Sequence, residues 1–105
     1  MEDDIELLGP ALKAIQVQLF FQFYKHHLQR AEEFGILRPI LDKRGHRLYP
    51  ESELMKIARM CQYHKFGIPM TRVYRLMLTE KGRKGLETKD ECLAVLAEAK
   101  QNTNT

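Results

Sequence analysis

The stretch that most constrains this chain runs from Arg38 to Tyr49. It reads Arg38-Pro39-Ile40-Leu41-Asp42-Lys43-Arg44-Gly45-His46-Arg47-Leu48-Tyr49, an apolar-bearing run on each side of an Asp-Lys-Arg-Gly turn, which is the pattern of a two-stranded β-hairpin. A hairpin this short is not stable alone in water, so it must lean on the helical patterns that flank it. Its cations, Arg38, Lys43, Arg44 and Arg47, face a single anion, Asp42, and suit a polyanionic partner, DNA foremost.

Upstream, Leu7, Leu8, Leu12, Ile15 and Leu19 recur at helical intervals and predict a first amphipathic helix with Pro10 near its start. From Val17 to Leu28 the sequence is dense in apolar and aromatic residues and carries no glycine or proline, so two partitions fit. One has a turn near Gln16 and a long helix from Gln18 to Phe34; the other ends the first helix near Phe21 and starts a second near Tyr24. Both make Lys25 to Phe34 helical and stop it at Gly35. In that helix Leu28, Ala31 and Phe34 share one side, with Lys25, His26, Gln29, Arg30 and Glu33 mostly on the other.

Beyond the hairpin, Pro50-Glu51-Ser52-Glu53 starts a helix in which Leu54, Ile57, Ala58, Cys61 and the stem of Lys65 keep inward spacing up to the stop at Gly67. Pro69 opens another, with Met70, Val73, Leu76 and Met77 inward and Thr71, Arg72 and Arg75 outward. Glu80 to Gly85 reads as a charged connector. Thr88-Lys89-Asp90-Glu91 can cap a last helix with Leu93, Leu96 and Ala97 along one side.

At 105 residues there is room for one domain with one modest core, expected over residues 1–100, with Gln101 to Thr105 as a disordered tail. The net charge of +3 decides little; its distribution decides more. Glu2, Asp3, Asp4 and Glu6 crowd the start, cations prevail from Lys25 to Arg47, and Arg72, Arg75, Lys81, Arg83, Lys84 and Lys89 form a second basic region. Two cysteines, no signal-like start and no apolar run near membrane length predict a cytoplasmic protein with reduced thiols, nucleoid-associated if DNA is the partner, and no membrane association.

Three segments carry a resemblance. Gly35-Ile36-Leu37-Arg38-Pro39, then Gly45-His46-Arg47-Leu48-Tyr49-Pro50-Glu51-Ser52-Glu53-Leu54, then Phe66-Gly67-Ile68-Pro69-Met70 with Val73, Leu76 and Met77, resemble the MerR family of winged helix-turn-helix DNA-binding proteins, without a gap in spacing from Gly35 to Met77. The resemblance implies a mainly α fold, a winged helix-turn-helix whose wing is the small two-stranded hairpin, with double-stranded DNA as partner. It implies the strongest wing contact for Arg47, and for Tyr49 a phosphate contact or a place in the wing's packing; packing is favoured here, with the hydroxyl outward. The same register places the family's Gly-Val turn on Gln22-Phe23, the apolar position of its recognition helix on Leu28 and its glutamate on Glu32. Gln29, Arg30 and Ala31 stand where the family has an arginine and two tyrosines. Family regulators also carry a long coiled-coil helix and an effector region. Leu86 to Lys100 is too short for these, so a stand-alone DNA-binding protein with no small-molecule effector is expected.

The candidate contacts divide by chemistry. Arg38, Lys43, Arg44 and Arg47 would donate to phosphate oxygens, and Lys25, His26, Gln29 and Arg30 would read base edges, where glutamine suits adenine and arginine suits guanine. Cys61 and Cys92 lack the paired spacing of a structural metal site and are expected in the core; no metal, cofactor or enzymatic machinery is expected. The apolar run Leu19 to Tyr24 is more often core, but on the long-helix partition it makes a helix apolar nearly all round, which a domain of this size cannot bury alone and which predicts a homodimer through this region or the final helix. The expected function is a sequence-specific double-stranded DNA-binding protein, a small transcriptional regulator. The alternatives are a winged-helix protein-interaction adaptor and an architectural DNA accessory factor.

Overall fold

The computed structural model describes residues 11–103 and is mainly helical, with one small antiparallel sheet. In chain order the elements are β1 (Ala11–Lys13), α1 (Ala14–Phe21), α2 (Lys25–Glu33), β2 (Ile40–Leu41), β3 (Arg47–Pro50), α3 (Glu51–Lys65), α4 (Met70–Met77), α5 (Glu80–Lys84) and α6 (Lys89–Thr103). The chain divides into two compact units, one up to Ala58 and one from Arg59, so the boundary falls inside α3.

In the first unit the expected hairpin forms, but the sheet has three strands rather than two, in the order β1-β3-β2. β2 pairs with β3 through Ile40 opposite Leu48 and Leu41 opposite Arg47. β1 pairs with the other edge of β3, setting Ala11, Leu12 and Lys13 against Pro50, Tyr49 and Leu48. Leu12, expected in a first helix, is therefore in a strand; Leu7, Leu8 and Pro10 lie outside the described residues. The physical reason is backbone satisfaction. Leu48 and Tyr49 are buried, and β1 supplies hydrogen-bond partners to an edge that water cannot reach.

Of the two partitions upstream, the one that breaks near Phe21 is observed. α1 ends in Gln22, which adopts the left-handed conformation at φ 54, a strained choice for a residue with a side chain. Packing explains the break. On a continuous helix Phe23 would lie about 120° around the axis from Val17, yet both are buried in the same unit; the turn brings Phe23 inward. The start of each helix is closed by a side chain three residues on: Lys13 N–H donates to Gln16 Oε1 at 2.9 Å ahead of α1, and Tyr24 N–H donates to His27 Nδ1 at 3.1 Å where α2 follows the turn.

Gly35 ends α2 at φ 77. Its N–H reaches Glu32 O at 2.9 Å and Ile36 N–H reaches Ala31 O at 2.9 Å, the paired bonds of a Schellman end. This reversal drops Ile36 and Leu37 into the core and leaves Phe34 47% exposed, against its expected inward position. The loop that follows is tied down by Glu53, a buried carboxylate that accepts from Arg38 N–H at 2.7 Å and from Lys56 Nζ at 3.0 Å, while Lys56 also donates to Ile36 O at 3.1 Å.

In the second unit Met60, Tyr63, Ile68, Val73, Tyr74, Leu76, Met77, Cys92 and Val95 form the core. In α4 Thr71, Arg72 and Arg75 are exposed and Val73, Leu76 and Met77 buried as expected, while Met70 is only half-buried and Tyr74 joins the buried set. α3 and α6 are rotated from their expected faces. Met60 and Tyr63 are buried instead of Ala58 and Lys65, which are exposed, and Cys92 and Val95 are buried while Leu93 and Ala97 face out. The larger side chains Met60 and Tyr63 fill the core of α3, and the Tyr63 hydroxyl finds partners there, donating to Gly82 O at 2.6 Å and accepting from Leu86 N–H at 3.0 Å. The expected connector at Glu80 is the short helix α5, because Thr79 Oγ1 accepts from Gly82 N–H at 2.9 Å and caps it. Thr88 caps α6 as expected, with its Oγ1 accepting from Glu91 N–H at 3.1 Å. That helix runs to Thr103, so part of the expected disordered tail is helical.

Candidate nucleic-acid interface

The hairpin turn is built by one carboxylate. Asp42 Oδ1 accepts from Arg44 N–H and from His46 N–H, each at 2.8 Å, while Asp42 N–H donates to His46 O at 2.9 Å and Gly45 N–H to Asp42 O at 3.0 Å. Gly45, at φ 84, supplies the backbone conformation that closes the loop. The backbone donor of His46 first, joined by that of Arg44 and by the His46 ring 3.4 Å from Oδ2, outweighs the opposing effect of burial and holds the Asp42 carboxyl below its ordinary range. Lys43 and Arg44 are exposed at the tip, and Arg38 is exposed at the start of the hairpin.

The base of the hairpin is fixed to α2 by Glu32. Its Oε1 accepts from Arg47 Nε at 2.9 Å and its Oε2 from the Tyr49 hydroxyl at 3.0 Å. Tyr49 is fully buried, so the packing role expected of it holds. The outward hydroxyl does not, because a buried phenol requires an acceptor and Glu32 is within reach. Burial first, and then the bond to Glu32, push the Tyr49 phenol far above its ordinary range. The same carboxylate raises the Arg47 guanidinium, first through the hydrogen bond and then through its charge. Arg47 nevertheless keeps 55% of its side chain exposed, so its outer guanidinium edge remains presentable.

Between these elements lies an open cleft of about 510 Å³, lined from α1 by Ile15 and Gln18, from α2 by Lys25, Gln29 and Glu32, and from the hairpin by His46, Arg47 and Tyr49. Lys13 also borders it. Of the nine residues singled out in the sequence, Lys25, Gln29, Arg47 and Tyr49 come together here. His26 and Arg30 are exposed on α2, and Arg38, Lys43 and Arg44 on the hairpin, without lining the cleft. Among the described residues Lys25, Arg38, Lys43 and Arg44 form no ion pair, and Arg30 has only a long one to Glu33 at 4.0 Å. Among the described residues, these cations are therefore largely uncompensated.

The residue missed as a site member is Glu32. Its position carried a signal: it stands four residues after Leu28, on the edge of the buried side, where a carboxylate is expected to have a partner. Lys13 was missed because it was assigned to a helix. Cys61 is half-buried and Cys92 buried, and burial raises both thiols above the ordinary range, which leaves them poor nucleophiles and metal ligands. Among the described residues no three His, Cys, Asp or Glu side chains converge as a metal site, and no helix is long and apolar enough to cross a membrane. No protein-family model matches this chain and no curated protein does, so what the cleft and its cations do has to be read from their own chemistry.

Proposed function

We propose that this chain is a sequence-specific double-stranded DNA-binding protein of the winged helix-turn-helix kind, resembling the MerR family, and that it acts as a small transcriptional regulator. The observation that carries the reading is the convergence of two classes of donor on one cleft: Lys25 and Gln29 from α2 and Arg47 from the hairpin border the same opening. A helix that reads base edges must be accompanied by backbone contacts that fix its register, and α2 as recognition helix with the hairpin as wing supplies both. Lys25, His26, Gln29 and Arg30 are exposed in succession along α2 for the major groove. Arg38, Lys43, Arg44 and Arg47 serve the phosphates.

Glu32 gives this arrangement its geometry. By holding Arg47 and Tyr49 with one carboxylate it fixes the angle between helix and wing before any ligand arrives, and preorganisation of this kind lowers the ordering cost of binding.

The test is a mobility-shift titration on duplex DNA, single strands and structured RNA at two salt concentrations. Replacing Arg44 and Arg47 by Ala is expected to weaken binding to all duplex sequences and to reduce the slope of log affinity against log salt by about two. Unchanged binding by that double variant would remove the wing assignment. Replacing Gln29 and Arg30 by Ala is expected to relax the preferred site in a random-sequence selection by about 1–3 kcal/mol per base read. Absence of any tight nucleic-acid complex would leave the adaptor reading in place.

A further inference from the structure

We propose that a cavity of the second unit, bordered by Arg59, Lys84, Gly85, Leu86 and Glu87, is a binding site for a free α-amino acid. Its volume is about 310 Å³, at the small end of ligand pockets, which start at about 300 Å³. Every residue lining it belongs to the second unit, so the proposal stands whether or not the first unit binds DNA. No small-molecule ligand is expected from the sequence, where Arg59 and Glu87 are far apart; the loop between α5 and α6 brings them to one cavity.

Arg59 supplies the anchor. It is half-buried on α3, and its Nη1 donates to Arg83 O, which fixes the side chain. A Cβ added at Gly85 would lie 3.3 Å from Nε, 3.3 Å from Nη2 and 3.4 Å from Cζ. Distances so nearly equal place the flat face of the guanidinium against Gly85, not its edge. The edge formed by Nε and Nη2 has no partner among the described residues. Two parallel N–H donors on one edge recognise a carboxylate or a phosphate, and here they are oriented before a ligand arrives.

The neighbouring charges decide between those two anions. Lys84 is already paired with Glu80 at 3.0 Å and adds little free charge. Glu87 borders the same cavity and forms no ion pair, with Arg59 or otherwise, among the described residues. A carboxylate beside a single open guanidinium disfavours a phosphate dianion by like-charge repulsion. One open cation and one open anion on a shared space instead match a ligand that carries both signs. The ligand carboxylate takes the Nε–Nη2 edge, its ammonium takes Glu87, and the half-buried Leu86 gives an aliphatic side chain an apolar wall. Two polar anchors in an open cavity bind weakly, with a dissociation constant on the order of 1 mM.

Titration of the isotope-labelled full chain with L-leucine to about 20 mM, followed through its amide chemical shifts, tests this. Saturable movement of the Gly85, Leu86 and Glu87 amides is expected. Leucinamide, which lacks the carboxylate, N-acetyl-leucine, which lacks the ammonium, and inorganic phosphate are each expected to bind about tenfold more weakly. Arg59→Lys keeps the charge but loses the paired edge, and is expected to weaken leucine binding about tenfold. Glu87→Gln, at an exposed position, is expected to weaken leucine about fivefold and to strengthen N-acetyl-leucine; this reversal carries the test if Arg59→Lys disturbs the fold. Absence of movement at the three amides overturns the proposal, as does leucine binding that is indifferent to Glu87→Gln. Phosphate or N-acetyl-leucine binding as tightly as leucine overturns it too, the first leaving a plain anion site and the second a site for the terminal carboxylate of a peptide.

Discussion

The two units of this chain are held by different chemistry. In the first, side-chain hydrogen bonds converge on carboxylates: Asp42 gathers the hairpin turn, Glu32 ties the hairpin to α2, and Glu53 ties down the loop at Arg38. In the second, the comparable work is done by neutral hydroxyls, with Tyr63 bridging Gly82 O and Leu86 N–H and Thr79 linking Leu76 O to Gly82 N–H. Carboxylates answer to pH and salt, whereas buried hydroxyls do not across the ordinary range. The geometry of the proposed DNA-binding surface is thus set by ionised groups, and the helical unit is set by shape and neutral bonds.

The largest expected effect belongs to the neutral unit. A Cβ at Gly82 would run into the backbone carbonyl of Leu76 and press on Thr79 Oγ1, so Gly82→Ala is expected to cost about 3 kcal/mol or more. Urea denaturation measures it, and a cost under about 1 kcal/mol would show that this junction is looser than described.

A matched pair sharpens the contrast. Tyr63→Phe leaves Gly82 O and Leu86 N–H without their hydroxyl partner, and Glu32→Ala leaves the buried Tyr49 hydroxyl without its acceptor; each is expected to cost about 1–3 kcal/mol. They should differ in salt dependence. The loss in Glu32→Ala shrinks as salt rises, because it includes the half-exposed ion pair to Arg47, while that in Tyr63→Phe is constant. Glu32→Gln, which retains an acceptor for Tyr49, should recover most of the stability. Equal salt responses from the two positions would break the comparison.

The smallest effect concerns acid. The carboxyl of Asp42 is held below its ordinary range in the folded chain, chiefly by His46 N–H, so its contribution is fully present above the unfolded value of about 4 and is lost as pH falls through the folded one. The hairpin turn is expected to loosen below about pH 4, before the helical unit responds. Asp42→Ala should loosen it at every pH, whereas Asp42→Asn, which keeps the accepting oxygen, should hold the turn and abolish its acid transition. Amide chemical shifts of Lys43 to His46 report all three cases.

How much of this was legible in the sequence depended on whether a local rule governed the segment. The hairpin, the stops at Gly35 and Gly67, the Thr88 cap and the inward set of α4 follow from turn chemistry and periodicity acting over a few residues. β1 was not legible, since Ala11-Leu12-Lys13 has no strand signature and becomes a strand only because β3 has a buried edge to fill. The break at Gln22 lacked its usual glycine; only the competing demands of Val17 and Phe23 locate it. In α3 and α6 the spacing allowed two neighbouring phases, and tertiary packing around Tyr63 and Cys92 chose between them. In the candidate site the exposed cations were found by charge alone, whereas Glu32 acquires its role from a partner strand 15 residues away.

The Asp42 turn has one more consequence, and it concerns time rather than energy. Two amides, those of Arg44 and His46, end on the same carboxylate oxygen. Their hydrogen exchange is therefore gated by release of one partly exposed side chain, not by opening of the sheet. Near neutral pH these two protons should exchange faster than the core amides of β3 and in step with each other, a built-in clock for the hairpin tip that runs independently of unfolding.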